Sequence, residues 1–460
     1  MVPSTPLKSS LFNSPQDVFD WLSRFINFEQ VRNKRGFSLD RIKHLAELAD
    51  HPEKCAPSIH VAGSKGKGSV TAMIAAILEA SGIKIARYAS PHVYDFRERL
   101  MMGSEFFPEE IYIRAGNELR DLVNALPLNP EDYTFFELIT LWFFLCGRLA
   151  RCRAMVVETG MGGRLDATNI LDPLVSVITG IELEHTEYLG ETLAAISSEK
   201  AGIIKQTKPL ILAEQCEEAL RVFKEHTENK KSPLIYFPDC AEFEDIKIDQ
   251  RGTCFTLILK KTDLLNGIYR DLFVPIPGEV YAKNTGLAIL AAKTAFPDID
   301  EDCIRKGLSN FTLPARFERI SETPLLVLDG AHTSLSIGTC VKTFSSLYGE
   351  GGILIFGCAA GKDARSMAKL SISYFSMIII TTPGTFKKSA PEEIYSAFTD
   401  EAKKIDKPPE IILEPETAKA VKLGRSTAIK KKLPILGAGS FYLAGEIKKF
   451  FSANSQCMSV

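Results

Sequence analysis

The sequence lacks an excess of charge of either sign. Its 460 residues carry 55 Lys and Arg against 57 Asp and Glu, which gives a formal net charge of −2. Proteins that mainly bind nucleic acid or an anionic membrane carry a clear positive excess. The near-neutral balance therefore argues against both kinds of partner.

Long apolar runs are also lacking. The most apolar stretch, residues 135–149, is interrupted by Glu137 and Arg148, and it is shorter than the roughly 20 residues that span a bilayer. The first ten residues are polar and rich in proline and serine, without the apolar segment of an export signal. We expect a cytoplasmic protein without a membrane segment.

Paired cysteine spacings are absent. The ten cysteines are scattered along the chain, and no C-x-x-C pair occurs. This distribution favours reduced thiols over a disulfide framework. Cys146 and Cys152 lie in apolar or helical stretches, so we expect them to be buried.

Apolar runs and amphipathic helical patterns alternate along most of the chain. Such alternation predicts βαβ units and a parallel sheet with helices on both faces. Residues 242–275 interrupt it with β-type runs that predict an antiparallel addition, and the alternation restarts after Pro324. A chain of this length exceeds one compact core. We predict an α/β fold with a first domain over 1–300, a linker over 301–323 and a smaller α/β domain over 324–460.

A glycine-rich stretch, HVAGSKGKGS from His60 to Ser69, stands between an apolar run and a helical pattern. Glycines at such a turn let backbone N–H groups close around phosphate oxygens, and the helix N-terminus adds partial positive charge. Lys67 can reach terminal phosphates, and Ser69 can offer a hydroxyl to Mg²⁺.

The match to a standard phosphate loop is incomplete. Val61 stands where that loop has a glycine, and Gly68 stands where it has serine or threonine. The alternative is a glycine-rich turn without a ligand. A lysine inside a glycine cluster at a helix start has little structural use, so we favour phosphate binding.

Polar residues follow several of the predicted strands. Ser90 follows one strand, Glu158 ends another and His185 lies in the loop after a third. Functional groups of open α/β sheets gather at these strand ends, and one carboxylate with a few neutral donors suits Mg²⁺ bound to phosphates. Taken singly, Glu158 could be a cap or ion-pair residue and His185 a loop histidine. Together with the glycine loop they predict a nucleotide–Mg²⁺ site.

Further polar clusters stand later in the chain. The loop GMGGRLDATN at 160–169 adds the charges of Arg164 and Asp166 where a plain turn needs none, which favours a binding loop over a tight connection. Lys200 ends a helical pattern, where a lysine is usually a solvated charge.

Arg316 and the motif Asp329-Gly-Ala-His332 flank the predicted domain boundary. A two-domain enzyme commonly binds its nucleotide at such a boundary.

Nine ordered sequence blocks together carry a resemblance to a known family. They are HVAGSKGKGSV, YASPHV with RERL, TFFELIT, VVETGMGGRLDATNI, ITGIELEH with YLG, ISSEKAGIIK, LPARFE, LDGAHT and GAGSFYLAGEI. The chain resembles the folylpolyglutamate synthase/dihydrofolate synthase family, a branch of the Mur-type ATP-dependent amide ligases. The resemblance implies a P-loop-containing Mur-ligase-like parallel-sheet domain followed by a smaller Rossmann-like domain.

The resemblance also implies the chemistry. The family adds L-glutamate to a pterin carboxylate through an acyl phosphate, converting dihydropteroate to dihydrofolate and extending reduced folates to polyglutamates. It implies ATP as co-substrate, two Mg²⁺ ions and a monomer.

The resemblance assigns roles residue by residue. Residues placed on ATP are Gly63, Gly66, Lys67, Gly68, Ser69, Asn284, Arg316, Asp329 and His332. Residues placed on Mg²⁺ are Ser69, Ser90, Glu158, His185 and Lys200, the last as a carbamylated lysine. Lys67, His185 and Lys200 would be catalytic, and Arg164, Asp166 and Thr168 would bind the pterin substrate.

The sequence departs from the family pattern at a few positions. Lys65 stands where asparagine is usual and Glu184 where aspartate is usual, Val280 and Tyr281 replace a His-Gln pair, and Thr333 replaces asparagine. These departures spare the metal and phosphate groups, but they leave open the fine nucleotide contacts and the preferred pterin.

Three other functions stay open. The chain could have only one of the two activities, or it could be a catalytically weakened nucleotide-binding paralogue. A peptidoglycan-type Mur ligase is the third alternative, and the GGRLDATN and SPH blocks argue against it.

Overall fold

The computed structural model describes residues 11–27, 38–126, 133–260, 266–384 and 388–456. An eight-stranded sheet dominates the first part of the chain, in the order β4-β3-β2-β5-β1-β6-β7-β8. Its strands are β1 Ser58–Ala62, β2 Ile85–Tyr88, β3 Leu100–Met102, β4 Glu105–Phe106, β5 Ala154–Glu158, β6 Val175–Ile178, β7 Leu210–Leu212 and β8 Leu234–Tyr236. The strands are parallel except for β3 and β4, which form an antiparallel edge. The parallel arrangement brings the ends of β1, β2, β5 and β6 to one edge of the sheet.

Helices cover both faces of this sheet. They are α1 Pro15–Leu22, α2 Asp40–Leu48, α3 Lys67–Ala80, α4 Glu109–Ala125, α5 Phe135–Leu149, α6 Thr186–Leu189, α7 Leu193–Ala201 and α8 Glu217–Lys230. One core forms beneath α3, and a second is formed by α1, α2, α4 and α5 on the opposite face. Burial on both faces explains why the inner strands are continuous apolar runs.

Helix α5 contains the most apolar stretch of the sequence. Glu137, which interrupts that stretch, accepts hydrogen bonds from the backbone N–H and the hydroxyl of Thr134 and so caps the helix. Trp142 and its apolar neighbours are fully buried in the protein core. Within the described ranges, no helix combines the length and the apolar character that crossing a bilayer requires.

A small antiparallel sheet follows the large one. It consists of β9 Ala241–Asp249, β10 Gly252–Leu259 and β11 Gly267–Val274. The short helix α9 Phe237–Cys240 precedes it, and α10 Glu279–Ala295 and α11 Glu301–Asn310 follow it. The antiparallel addition over 242–275 is confirmed. Strand β9 was not predicted, because its many charged residues (AEFEDIKID) interrupt the apolar pattern.

The second domain is built on a six-stranded sheet in the order β12-β13-β17-β14-β15-β16. Its strands are β12 Glu318–Glu322, β13 Leu325–Leu328, β14 Gly352–Phe356, β15 Phe375–Ile380, β16 Glu410–Leu413 and β17 Ile435–Ala438. Its helices are α12 Ser334–Tyr348, α13 Ala364–Ser371, α14 Pro391–Ala402, α15 Thr417–Lys431 and α16 Phe441–Gln456. All strand pairs are parallel except β12 with β13.

Residues 301–323, expected to be a linker, contain regular structure at both ends. Helix α11 packs on α3 so closely that a Cβ on Gly307 would lie 2.5 Å from the carbonyl oxygen of Ala76. Strand β12 belongs to the second sheet. The irregular connection between the two parts is therefore 311–317, and the domain limits remain a prediction.

The cysteines that the structure describes are all free thiols. Cys146 and Cys152 are buried, as expected.

Candidate active site

The glycine loop connects β1 to α3. Gly63 and Gly66 have φ of +141° and +89°, which glycine adopts readily and other residues rarely do. A Cβ on Gly63 would lie 1.8 Å from the hydroxyl oxygen of Thr179, so no side chain fits there. No side chain caps the N-terminus of α3. Its first N–H groups therefore remain available to an anion.

Two lysines converge on this loop. The ammonium groups of Lys67 and Lys200 donate to the carbonyl oxygen of Gly63 at 2.9 and 2.8 Å. Lys200 also donates to Oε1 of Glu184 at 2.9 Å. Burial would raise the pKa of the Glu184 carboxyl, but Lys67 and Lys200 lower it to about 2. The Lys200 ammonium is therefore a second positive charge beside the glycine loop, and Glu184 is its counter-ion.

The interpretation of Lys200 from its local pattern was wrong. A lysine at a helix end is usually solvated, yet this side chain is 1% exposed because α7 packs its last turn against the loop. Burial and the nearby Lys67 lower the pKa of Lys200 to about 8. A sizeable fraction of its amine is thus neutral in mildly alkaline solution.

Glu158 is the carboxylate at the end of β5. It is 4% exposed, and burial raises its pKa to about 7 although Lys67 lies nearby. Gly68 of the loop lies next to this carboxylate, because a Cβ there would lie 3.4 Å from Oε2. The backbone N–H of Ser90 donates to the Glu158 carboxylate, and Ser69 is buried in the first turn of α3.

This donor set fits Mg²⁺. Across the described ranges, no three His, Cys, Asp or Glu side chains form a complete metal cage. Mg²⁺ commonly takes one or two carboxylates, with phosphates and waters as its remaining ligands. The buried Glu158 carboxylate and the hydroxyls of Ser69 and Ser90 meet that requirement. His185, at φ +48° before α6, is the exposed member of the predicted set.

The connection between the domains contributes Arg316, and the second domain contributes Asp329 and His332. The guanidinium of Arg316 lies 4.2 Å above the ring of Phe441. Asp329 accepts hydrogen bonds from the N–H groups of Phe317 and Ala331 at 2.9 and 2.8 Å. His332 bonds the carbonyl oxygen of Gly330 through Nδ1 at 2.8 Å.

Lys65 and Asn284 also lie in this region. Burial and Lys65 lower the pKa of His332 to about 3, so Lys65 lies close to the second domain. Asn284 on α10 lies against Gly66, whose Cβ would be 3.0 Å from its Oδ1. The sequence analysis did not single out Phe441, although it belongs to the GAGSFYLAGEI block.

The loop GMGGRLDATN is tightly bonded within itself. The Asp166 carboxylate accepts from the N–H groups of Met161 and Thr168 at 2.9 and 3.0 Å. The Thr168 hydroxyl bonds Nε2 of the buried His60 at 2.8 Å. Arg164 is half exposed and pairs with Glu199 at 2.8 Å. Arg164 is thus the most accessible of the three predicted substrate residues.

A cavity of about 650 Å³ opens beside the loop and between the domains. Its lining includes Gly68, Ser90, Glu158, Arg316 and Phe441. Its volume lies within the range typical of small-molecule sites. The structure therefore brings Gly68 of the loop, the metal candidates Ser90 and Glu158, and Arg316 to one cavity.

Comparison with known proteins identifies the family. Residues 61–292 match the Mur ligase middle domain, and residues 315–441 match the Mur ligase glutamate ligase domain. The folylpolyglutamate synthase of Lacticaseibacillus casei is 33% identical over 368 residues, which cover 78% of this chain and 84% of the relative. The dihydrofolate synthase/folylpolyglutamate synthase of Bacillus subtilis is 31% identical, covering 78% and 83%.

The similarity extends to solved structures. Folylpolyglutamate synthase of Mycobacterium tuberculosis complexed with ADP and AMPPCP has a TM-score of 0.81 and 26% identity, covering 90% of this chain and 95% of that one. These matches confirm the predicted fold class, a P-loop-containing Mur-ligase-like domain followed by a smaller α/β domain. The chain belongs to the folylpolyglutamate synthase/dihydrofolate synthase family of Mur-type, ATP-dependent ligases.

Proposed function

We propose that this enzyme joins L-glutamate to a pterin carboxylate at the expense of ATP. The substrates would be dihydropteroate, giving dihydrofolate, and reduced folates, giving γ-glutamyl-extended forms. The observation that carries the proposal is the convergence of Lys67 and Lys200 on the glycine loop, beside the Glu158 carboxylate. The relatives support it, one named folylpolyglutamate synthase and the other named for both activities.

The reaction needs two steps. The pterin carboxylate oxygen attacks the γ-phosphorus of ATP, and ADP leaves, which gives an acyl phosphate. The neutral amine of glutamate then attacks the acyl carbon, phosphate leaves with the C–O bond electrons, and the amine loses a proton. In the first step, Lys67 and the α3 N-terminus stabilise charge on the transferring phosphoryl group.

Other residues have supporting roles in this proposal. Gly63, Gly66, Gly68 and Ser69 shape the phosphate loop, and Asn284, Arg316, Asp329 and His332 hold the rest of ATP. Ser69, Ser90, Glu158 and His185 would hold Mg²⁺, which neutralises phosphate charge when bound. Arg164, Asp166 and Thr168 belong to the loop at the pterin end. We propose a cytoplasmic monomer.

Lys200 would act as a carbamate. Carbamylation needs a neutral amine that is sheltered from water, and Lys200 is 1% exposed with a pKa of about 8. The reaction adds CO₂ to the amine and releases a proton. The resulting carbamate would help to hold a second Mg²⁺.

Phosphate release tests the proposed function. The protein is mixed with Mg-ATP and L-glutamate, with 7,8-dihydropteroate in one reaction and a reduced folate in another. Release that depends on glutamate is expected with both substrates. Release with only one would assign a single activity, and release with neither would exclude the ligase function and favour a nucleotide-binding paralogue.

A further inference from the structure

Arg316 lies between two residues with unusual backbone conformations. Ala315 has φ +51° and Phe317 has φ +47°. Residues other than glycine rarely adopt this left-handed region, and they keep it only where the surroundings enforce it. The direction of the Arg316 side chain depends on both neighbours, because a φ change at either one would rotate it away from the cavity.

Two carboxylates and one amide hold this backbone. The N–H of Ala315 donates to Oε2 of Glu318 at 2.9 Å, and the carbonyl oxygen of Ala315 accepts from the N–H of Gly330 at 2.7 Å. The N–H of Phe317 donates to Oδ2 of Asp329 at 2.9 Å. Glu318 and Asp329 thus each secure one of the two strained residues.

Glu318 is itself held from both domains. The phenol of Tyr94, four residues after Ser90, donates to Oε2. The ammonium of Lys448 on α16 donates to Oε1 at 2.6 Å and lies 4.0 Å from the centre of the Tyr94 ring. The carboxylate therefore connects the Ser90 segment, the strained connection and the last helix.

The guanidinium of Arg316 is left for a ligand. Its Cζ lies over the Phe441 ring, and no acceptor from the described parts of the chain makes a hydrogen bond to it. Arginine has five N–H donors in a planar fork, which suits phosphate and ribose oxygens.

We propose that Glu318 is a positioning residue that fixes the strained Ala315 backbone and thereby aims Arg316 at the nucleotide, with Tyr94 and Lys448 holding its carboxylate. This inference rests on the proposed contact between Arg316 and ATP. It predicts that changes at Glu318 weaken ATP binding through Arg316, although Glu318 itself does not contact the nucleotide.

The test compares ATP affinity across a set of full-length variants. Glu318→Ala should raise the KM for ATP about tenfold, the size expected when a strained conformation is lost. Arg316→Ala should raise it at least as much. Adding Ala315→Gly to Glu318→Ala should restore much of the affinity, because glycine adopts φ +51° without strain.

Matched variants separate positioning from general stability. Glu322→Ala removes an exposed carboxylate on the same strand, paired with Arg319, and should leave the KM for ATP unchanged. Should Glu318→Ala not fold, Tyr94→Phe removes only one hydroxyl and should raise the KM about threefold. Melting temperatures are measured in parallel, since a purely structural role would lower stability without a KM effect that Ala315→Gly reverses.

The outcomes distinguish two failures. If Arg316→Ala leaves ATP affinity intact, the proposed ATP contact is wrong and the inference falls with it. If Arg316→Ala weakens ATP binding while Glu318→Ala and Tyr94→Phe do not, only the positioning role is overturned. Failure of Ala315→Gly to restore affinity would also overturn that role.

Discussion

Lys67 and Lys200 donate hydrogen bonds to the same acceptor, the carbonyl oxygen of Gly63, at 2.9 and 2.8 Å. Two ammonium groups on one oxygen repel each other, and the pKa of Lys200 falls partly for that reason. An anion that binds at the loop would relieve this repulsion. The two positive charges at this loop therefore favour the binding of a polyanionic ligand.

Replacing Lys67 should nearly abolish turnover. Lys67→Ala removes one of the two ammonium groups at the loop, and we expect kcat to fall at least about 100-fold, as for loss of a single transition-state donor. The measurement is phosphate release at saturating ATP. Lys84→Ala, at an exposed position before β2, is the control and should keep full activity. Wild-type turnover in Lys67→Ala would contradict the phosphate role.

Replacing Lys200 should cause a loss that small acids partly reverse. Lys200→Ala removes the proposed carbamate, and acetate or formate can place a carboxylate in the space it leaves. We expect activity to fall about 100-fold or more and to recover partly with added acid.

Lys205→Ala is a matched control for that experiment. Burial also lowers the pKa of Lys205 to about 8, but its ammonium donates to the Asn169 carbonyl oxygen, away from the glycine loop. Added acids should not change the activity of Lys205→Ala. An intact mass of active enzyme without the carbamate would contradict the modification.

Glu158→Gln should inactivate the enzyme and stabilise the metal-free protein. Burial disfavours the Glu158 carboxylate, whereas a neutral amide of the same shape avoids that cost. We expect the melting temperature in EDTA to rise by about 2 °C or more.

Glu98→Gln provides the contrast. Burial also raises the pKa of Glu98, but its carboxylate accepts three backbone hydrogen bonds, from the N–H groups of Val93, Tyr94 and Asp95, whereas Glu158 accepts one from Ser90. Its replacement should lower the melting temperature. A lower melting temperature for Glu158→Gln would show that its carboxylate is stabilised by contacts within the protein.

His60 should make the protein sensitive to mild acid. It is fully buried, and burial lowers its pKa to about 3 from an ordinary value of 6.5. As the pH falls from about 6.5 towards 3, the unfolded chain binds a proton that the folded protein excludes. Stability is therefore lost over this range, by up to about 1.4 kcal/mol per pH unit.

The measurement is urea unfolding at several pH values between 7 and 4 for the wild type and His60→Phe. The variant loses the Thr168 hydrogen bond and should be less stable at pH 7, but its stability should fall less steeply in acid. His332, whose pKa is also about 3, is present in both proteins, so the difference in slope reports on His60. Parallel curves would contradict the prediction.

Sequence patterns predicted the elements that bury one continuous apolar run or stripe. Strands β1, β5 and β6 and helices α3 and α5 are of this kind, because burial on both sides leaves a strong local signal. Strands β3, β4 and β12 were not predicted. Strands β3 and β4 are only three and two residues long, and β12 (ERISE) is largely polar, so none of them carries the apolar run that marks a buried strand.

The site was predicted unevenly for the same reason. Gly63, Lys67 and Glu158 follow from strand ends and glycine spacing. The burial of Lys200 does not, because it depends on α7 packing against a loop more than a hundred residues earlier in the chain. The contacts of Glu318 could not be predicted either, since its partners Tyr94 and Lys448 come from segments far apart in sequence.

The contact between Gly63 and Thr179 has a consequence for mutational tolerance. Every residue other than glycine has a Cβ, and that atom alone would lie 1.8 Å from the Thr179 hydroxyl oxygen. In a saturation mutagenesis screen, position 63 should reject all nineteen replacements alike, whatever their polarity. Gly180 lies beside the glycine loop, because its carbonyl oxygen accepts a hydrogen bond from the N–H of Ser64. The space where its Cβ would be is open. Position 180 should accept small residues freely, so two neighbouring glycines should show opposite substitution profiles.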